Sequence, residues 1–355
     1  MNITRGMRAR FFLKFPLIFT ACCIAVFSAA ALFAASADVE LMDKAKEAIG
    51  PLPASMPSPD NPITSGKVKL GRVLFYESRI SIDKTVSCAK CHPMGLYAAD
   101  GLKKAVGNNC KVLPRNSPTL FNAAAQISQH WIGNRTSVED QARQSVTGPP
   151  AYGMPSNESV EKILKAMKGY IALFKEAFPG DKDPVTMENF AKALGAFERT
   201  LVTPAPFDDY VQGKAGALTT EQKRGLKTFL ETGCLMCHSG PYVGGQTYQK
   251  FGMMEPYEKY TKSEPVDEGR FAVTKDPADK YVFKVPVLRN VAETPPYFHD
   301  GSVETLEDAV VIMAKVQLGK DLTKEQVNDL NAFLASLTGK IPDAALVVPV
   351  LPSVE

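Results

Sequence analysis

Histidine and tryptophan are scarce here: four histidines and one tryptophan in 355 residues. Cysteine is scarce too, with seven in all and only five beyond residue 37. Five is an odd number, and four of the five stand in two close pairs, Cys88/Cys91 and Cys234/Cys237. That pattern excludes the widely spaced, even-numbered disulfide framework of small exported domains. Strand signals are equally few. Tyr281-Val282-Phe283-Lys284-Val285 is the best of them, which leaves no basis for a sheet-built fold. Positive charge is missing where a nucleic-acid surface would need it. The formal charge of +3 rests on Arg5, Arg8, Arg10 and Lys14, which share the first 37 residues with no acid. Beyond them stand 37 basic against 38 acidic residues and no polybasic run, so nucleic acid is excluded as a partner class.

The N-terminus is itself informative. The basic residues precede an apolar run from Phe15 to Ala34, and Ala35-Ser36-Ala37 offers an A-x-A cleavage site before Asp38. This is the pattern of a removable secretory signal over 1–37, and it predicts an exported, periplasmic protein. The run is also long enough for an uncleaved anchor, and Cys22 would suit a lipid-modification site but for Phe19 three residues before it. The remaining chain is long enough for two domains with sizeable cores.

The paired cysteines are each followed by histidine, as "CAKCH" (88–92) and "CLMCH" (234–238). C-x-x-C-H is the attachment signature of c-type haem, in which both thiols add to the haem vinyls and the imidazole ligates iron. A closed zinc site wants four N/S ligands, and joining the two motifs in one such site leaves the histidines and the duplication unexplained. A thioredoxin-like redox pair needs a βαβ surrounding that neither motif has. The sequence therefore predicts two covalent haems c, held by Cys88, Cys91 and His92 and by Cys234, Cys237 and His238.

Helical apolar spacing occupies 64–77, 157–178, 187–202, 219–232, 303–316 and 323–337, after a Pro-rich entry from Pro51 to Pro62. Asn157 and the Thr219-Thr220-Glu221-Gln222 stretch signal helix starts. The stretch 200–216 reads as the crossing between halves with one haem motif on each side. The expected fold is mainly α: two cytochrome c-like helical domains, 38–206 and 207–355, derived from one ancestor by duplication.

Six stretches carry a wider likeness: "LGRVLFYESRIS", "SCAKCH", "PRNSPTLFNAA", "CLMCHSG", "DKYVFKVPVLRNVAETPPYFHDGSVETLEDAV" and "IMAKVQLG". Over nearly its whole mature length the sequence resembles the bacterial dihaem cytochrome c peroxidases, whose superfamily includes enzymes that oxidise protein tryptophans. The resemblance implies a periplasmic oxidoreductase that reduces hydrogen peroxide. Its electrons would come from a small donor, a cytochrome c or a cupredoxin. The alternative is an electron-transfer or sensing protein, or an oxidase of a partner's side chains. Dimers are usual in the family. The resemblance makes His238 and Met313 the two axial ligands of a C-terminal high-potential haem, and His92 the proximal ligand of an N-terminal peroxidatic one. A thioether suits the former, since it stabilises ferrous iron.

The same likeness implies calcium between the domains, held by the Asn116 side chain and the carbonyls of Thr294 and Pro296. Oxygen donors suit a hard cation. Trp131 falls where an aromatic separates the haems, and Gln141 matches a distal-pocket glutamine. His299 reads as a structural neighbour of the haem. Two positions depart from the pattern. Asn108 stands where many members have a capping histidine, and Ala151 stands where they have the distal glutamate that moves protons. Glu139, Asp140, Tyr152 or a Gln141-bound water are the substitutes within reach in sequence. The odd cysteine, Cys110, reads as an inert buried side chain, with haem ligation as the other option.

Overall fold

The structure, a computed structural model, describes residues 36–353. Apart from its last two residues, the expected signal at 1–37 lies outside that range. Among the described residues no helix is long and apolar enough to cross a membrane.

The main helices are α1 (36–48), α2 (Ser65–Phe75), α3 (Val138–Ser145), α4 (Asn157–Lys165), α5 (Lys168–Ala177), α6 (Met187–Glu198), α7 (Pro206–Val211), α8 (Thr220–Thr232), α9 (Leu306–Leu318) and α10 (Lys324–Ala335). The starts are set by side-chain caps. Thr219 and Thr323 form capping boxes with Gln222 and Gln326, and Ser156 caps α4 one residue before the expected Asn157. The single segment expected over 157–178 is two helices. Met167 leaves helical geometry (φ −107°, ψ 106°) and buries its side chain in the first core, which separates α4 from α5. Among the described residues one small sheet pairs β1 (Tyr248–Lys250) with β2 (Val282–Lys284) antiparallel, Tyr248 opposite Lys284.

Among the described residues the two largest cores anchor two lobes. The first is built on α2, α4, α5 and α6; the second on α7, α8 and α10. The chain ends cross between them. Ala45 and Ile49, from α1 and its end, lie in the second core, while Ala345 and the tail residues Ile341 and Leu351 pack on the first. Both chain ends thus pack across the 206/207 position, each on the core built mainly from the other half.

The lobes repeat one packing device that the sequence hides. In the first, a Cβ on Gly71 would lie 2.0 Å from Ala193 O and 2.8 Å from Phe197 Cβ. In the second, a Cβ on Gly225 would lie 1.8 Å from Asp329 O and 2.8 Å from Phe333 Cβ. Four residues after each glycine a phenylalanine meets the same partner ring, Phe75 on Phe197 at 5.5 Å and Phe229 on Phe333 at 5.1 Å. Each crossing glycine sits in the helix that precedes a C-x-x-C-H motif, α2 or α8. The two halves thus share a packing geometry that their sequences do not show.

Candidate functional site

Both C-x-x-C-H motifs fold into one tight turn, α-helical at Cys88–Cys91 and 3-10 at Cys234–Met236. Each histidine is tied back to the start of its turn: His92 N donates to Cys88 O, and His238 N to Cys234 O, both at 2.9 Å. Each ring is then held through Nδ1, which lies 3.0 Å from Ala98 O in His92 and 3.3 Å from Val243 O in His238. A carbonyl accepts, so Nδ1 carries the hydrogen and Nε2 is left as the lone-pair nitrogen that a metal takes. Burial keeps both rings neutral, pushing His238 down to about 4 and lowering His92. No disulfide joins any of the five cysteines among the described residues, so both pairs are available for haem attachment.

One cavity of about 320 Å³ is bordered by His92 of the first motif and by Cys234, Cys237 and His238 of the second. A haem fits its chemistry. Lys284, on its wall, is buried with its Nζ donating to Gln126 Oε1, and no carboxylate among the described residues pairs with it. Burial pushes this lysine down to about 7. The propionates of a haem are the anions such a lysine lacks.

Met313, on α9, borders the same cavity, as do Trp131 and Gln141. The Trp131 indole N–H donates to Asn116 O at 2.9 Å, and its ring meets His299 edge-on at 6.4 Å. His299 stacks on Phe283 at 4.3 Å, and its Nε2 has no hydrogen-bond partner. Asn116, Thr294 and Pro296 line the cavity too. Asn116 Nδ2 donates to Leu102 O, and its Oδ1 accepts no hydrogen bond among the described residues.

Other expected residues stand elsewhere. Asn108 is not on the cavity wall. It is fully buried, and its Nδ2 donates to Pro149 O (2.7 Å) and Ala151 O (2.9 Å), tying together the two loops that carry the family departures. Ala151 packs on the first core and is likewise off the wall. Glu139 is taken up by Arg199 and Asn61, and Asp140 by Gln144 and Thr136 N. Tyr152 is buried with its hydroxyl 3.2 Å from Cys88 Sγ. Cys110 is exposed and not buried as expected, because it sits in left-handed geometry (φ 58°) at the tip of the turn closed by the Val106–Val112 bridge.

A family profile described as Di-haem cytochrome c peroxidase matches residues 65–216. The cytochrome c551 peroxidase of Pseudomonas aeruginosa is 41% identical, over 88% of this chain and 90% of its own length. The chain belongs to the di-haem cytochrome c peroxidase family. Methylamine utilization protein MauG of Methylorubrum extorquens is 35% identical, over 84% of this chain and 86% of its own. Among solved structures, a MauG-like protein associated with microbial copper homeostasis superposes with a TM-score of 0.74 at 27% identity, covering 84% of this chain and 97% of its own. Membership of this family implies two c-type haems, in agreement with the two motifs and the cavity between them.

This di-haem family member also carries a cavity residue that sequence reading missed. Glu198, the last residue of α6, is buried on the cavity wall, and its carboxyl group makes no hydrogen bond or ion pair among the described residues. Its helical register with Leu194 and Phe190 was the available signal, masked by the charged neighbour Arg199. Burial, with the nearby Glu139 carboxylate, pushes Glu198 up to about 8, against the opposing pull of Arg199. In the unfolded chain the group ionises near 4.5. Its contribution to stability is thus fully present below pH 4.5 and is lost as pH rises through about 8. Glu198→Gln should remove that dependence. Calorimetry of the holoprotein is expected to give equal midpoints for the two proteins at pH 4 and a higher midpoint for the variant at pH 8.5, by a few kcal/mol in stability. Parallel curves at both pH values would show Glu198 to be solvated.

Proposed function

We propose that this peroxidase-type oxidoreductase acts in the periplasm and reduces hydrogen peroxide to water, H₂O₂ + 2 H⁺ + 2 e⁻ → 2 H₂O. The carrying observation is that one cavity is lined by both motif histidines, His92 and His238, and by Met313. When bound, the haems supply one-electron storage beside His238 and Met313 and an iron open to peroxide beside His92. The protein's own groups do the rest. His92 and His238 are oriented through Ala98 O and Val243 O. Lys284 neutralises propionate charge. Trp131, fixed by Asn116 O, is the aromatic that we assign to electron passage between the halves. Gln141 offers an amide to the peroxide side of the cavity.

We infer calcium at Asn116 Oδ1 with the carbonyls of Thr294 and Pro296, where it would lock Trp131's acceptor residue to the second lobe. A small cytochrome c or cupredoxin is the donor we assign, and a homodimer the assembly. The second reading, oxidation of a partner's side chains, is supported by the MauG likeness and by the absence of an acidic side chain at Ala151.

Anaerobic stopped-flow mixing separates the two. With one equivalent of hydrogen peroxide, the fully reduced protein is expected to reoxidise both haems within seconds and without a protein partner. Spectra that stay reduced would contradict peroxide reduction.

A further inference from the structure

The proposed reaction needs a group that takes a proton from one peroxide oxygen and gives it to the other, and Ala151 cannot serve. Of the four substitutes considered from sequence, Glu139 and Asp140 are spent in ion pairs and hydrogen bonds, and Tyr152 is held at Cys88. Gln141 reaches the cavity, but a water held by its amide is too weak a base to take the proton first near neutral pH. Glu198 reaches it as well, yet burial keeps it protonated up to about pH 8, so it cannot accept first.

His130 is differently placed. It lies in the turn closed by the Gln129–Arg135 bridge, immediately before Trp131, and borders the same cavity as His92 and Gln141. Its backbone is left-handed (φ 66°), a conformation costly for histidine and kept only where the surroundings impose it. The side chain is aimed by one bond: Nδ1 lies 2.9 Å from Asn134 Oδ1. An amide oxygen accepts, so Nδ1 carries the hydrogen and Nε2 holds the lone pair. Nε2 has no partner among the described residues.

We propose that His130 is the proton-transfer residue of the peroxide site. Its Nε2 would accept the proton of one peroxide oxygen and pass it to the other, whose bond to the first then breaks so that it leaves as water. The two electrons come from the reduced donor, and two further protons complete the second water. The inference rests on the peroxide reading above. A neutral ring is what the first transfer needs, and burial pushes His130 down to about 4. Arg135, His92 and Lys284 also disfavour its charged form, while Asn134 favours it.

The test compares the wild-type holoprotein with His130→Asn and His130→Ala. Asparagine tolerates left-handed backbone, so it protects against a folding failure of the alanine variant. Two rates are measured: reoxidation of reduced protein by hydrogen peroxide, and association of cyanide with the ferric protein. Cyanide arrives mainly as HCN and must lose its proton to bind, so it reports the same base without turnover. Both rates are expected to fall by about 10²-fold or more in both variants, with the ferric spectrum unchanged. Unaltered rates would overturn the proposal. So would a wild-type low-spin spectrum that becomes high-spin in the variants, since His130 would then be an iron ligand. Should wild-type protein not react with peroxide, the peroxide reading fails and the cyanide arm alone decides: a fall of that size supports His130 as the base, and no fall overturns it.

Discussion

Asp208→Ala is expected to lower the stability of the holoprotein by about 3–5 kcal/mol, the cost of stranding a buried charge. Arg289 is 0% exposed, and both of its terminal nitrogens bond the Asp208 carboxylate, at 2.8 and 2.9 Å. The same carboxylate accepts from Leu52 N and Ala205 N, both at 2.7 Å, while Arg289 Nε donates to Pro241 O at 2.9 Å. One ion pair therefore fastens the N-terminal entry, the start of α7, the loop after His238 and the segment that follows β2. Asp208→Asn keeps one acceptor oxygen, enough for either Leu52 N or Ala205 N but not both, and should cost less. Replacing Lys69, whose pair with Glu176 lies in solvent, should cost far less again. Denaturant titration followed at the haem bands measures all three. A near-neutral Asp208→Ala would mean that water reaches Arg289.

Met313→His should lower the potential of the C-terminal haem by tenths of a volt, within the range of about 0.8 V that axial ligands span. A thioether is a weak, soft donor that stabilises ferrous iron, whereas imidazole stabilises ferric iron. Spectroelectrochemical titration reads the shift, and the His92 haem serves as the internal control. Met313 also packs among Ile132, Tyr257 and Val316. An unchanged potential would reduce it to that packing role.

The elements nearest the chemistry were the most legible. The two haem motifs were readable because their spacing is itself the chemistry, and Thr219 and Thr323 announced their helices because capping is local. Met313, Trp131 and Gln141 were located through family likeness, and the structure brings all three to one cavity. What stayed hidden depends on contacts distant in sequence. Nothing local in α1 says that Ala45 and Ile49 belong to the second core, or that Leu351 returns to the first. Gly71 and Gly225 look like ordinary helix glycines until the partner helix is seen crossing at each. Asn108 was sought in a distal pocket because of its alignment, but its amide closes a loop onto Pro149 and Ala151. His130 and Glu198 escaped assignment because a histidine beside tryptophan and a glutamate beside arginine both have ordinary explanations.

Everything above depends on two covalently held haems in an exported chain, and intact-mass spectrometry of denatured protein from the periplasm tests that most directly. The expected mass is that of residues 38–355 plus two haems, retained under conditions that remove non-covalent cofactors. A polypeptide carrying one haem or none, or one that retains residues 1–37, would contradict the account.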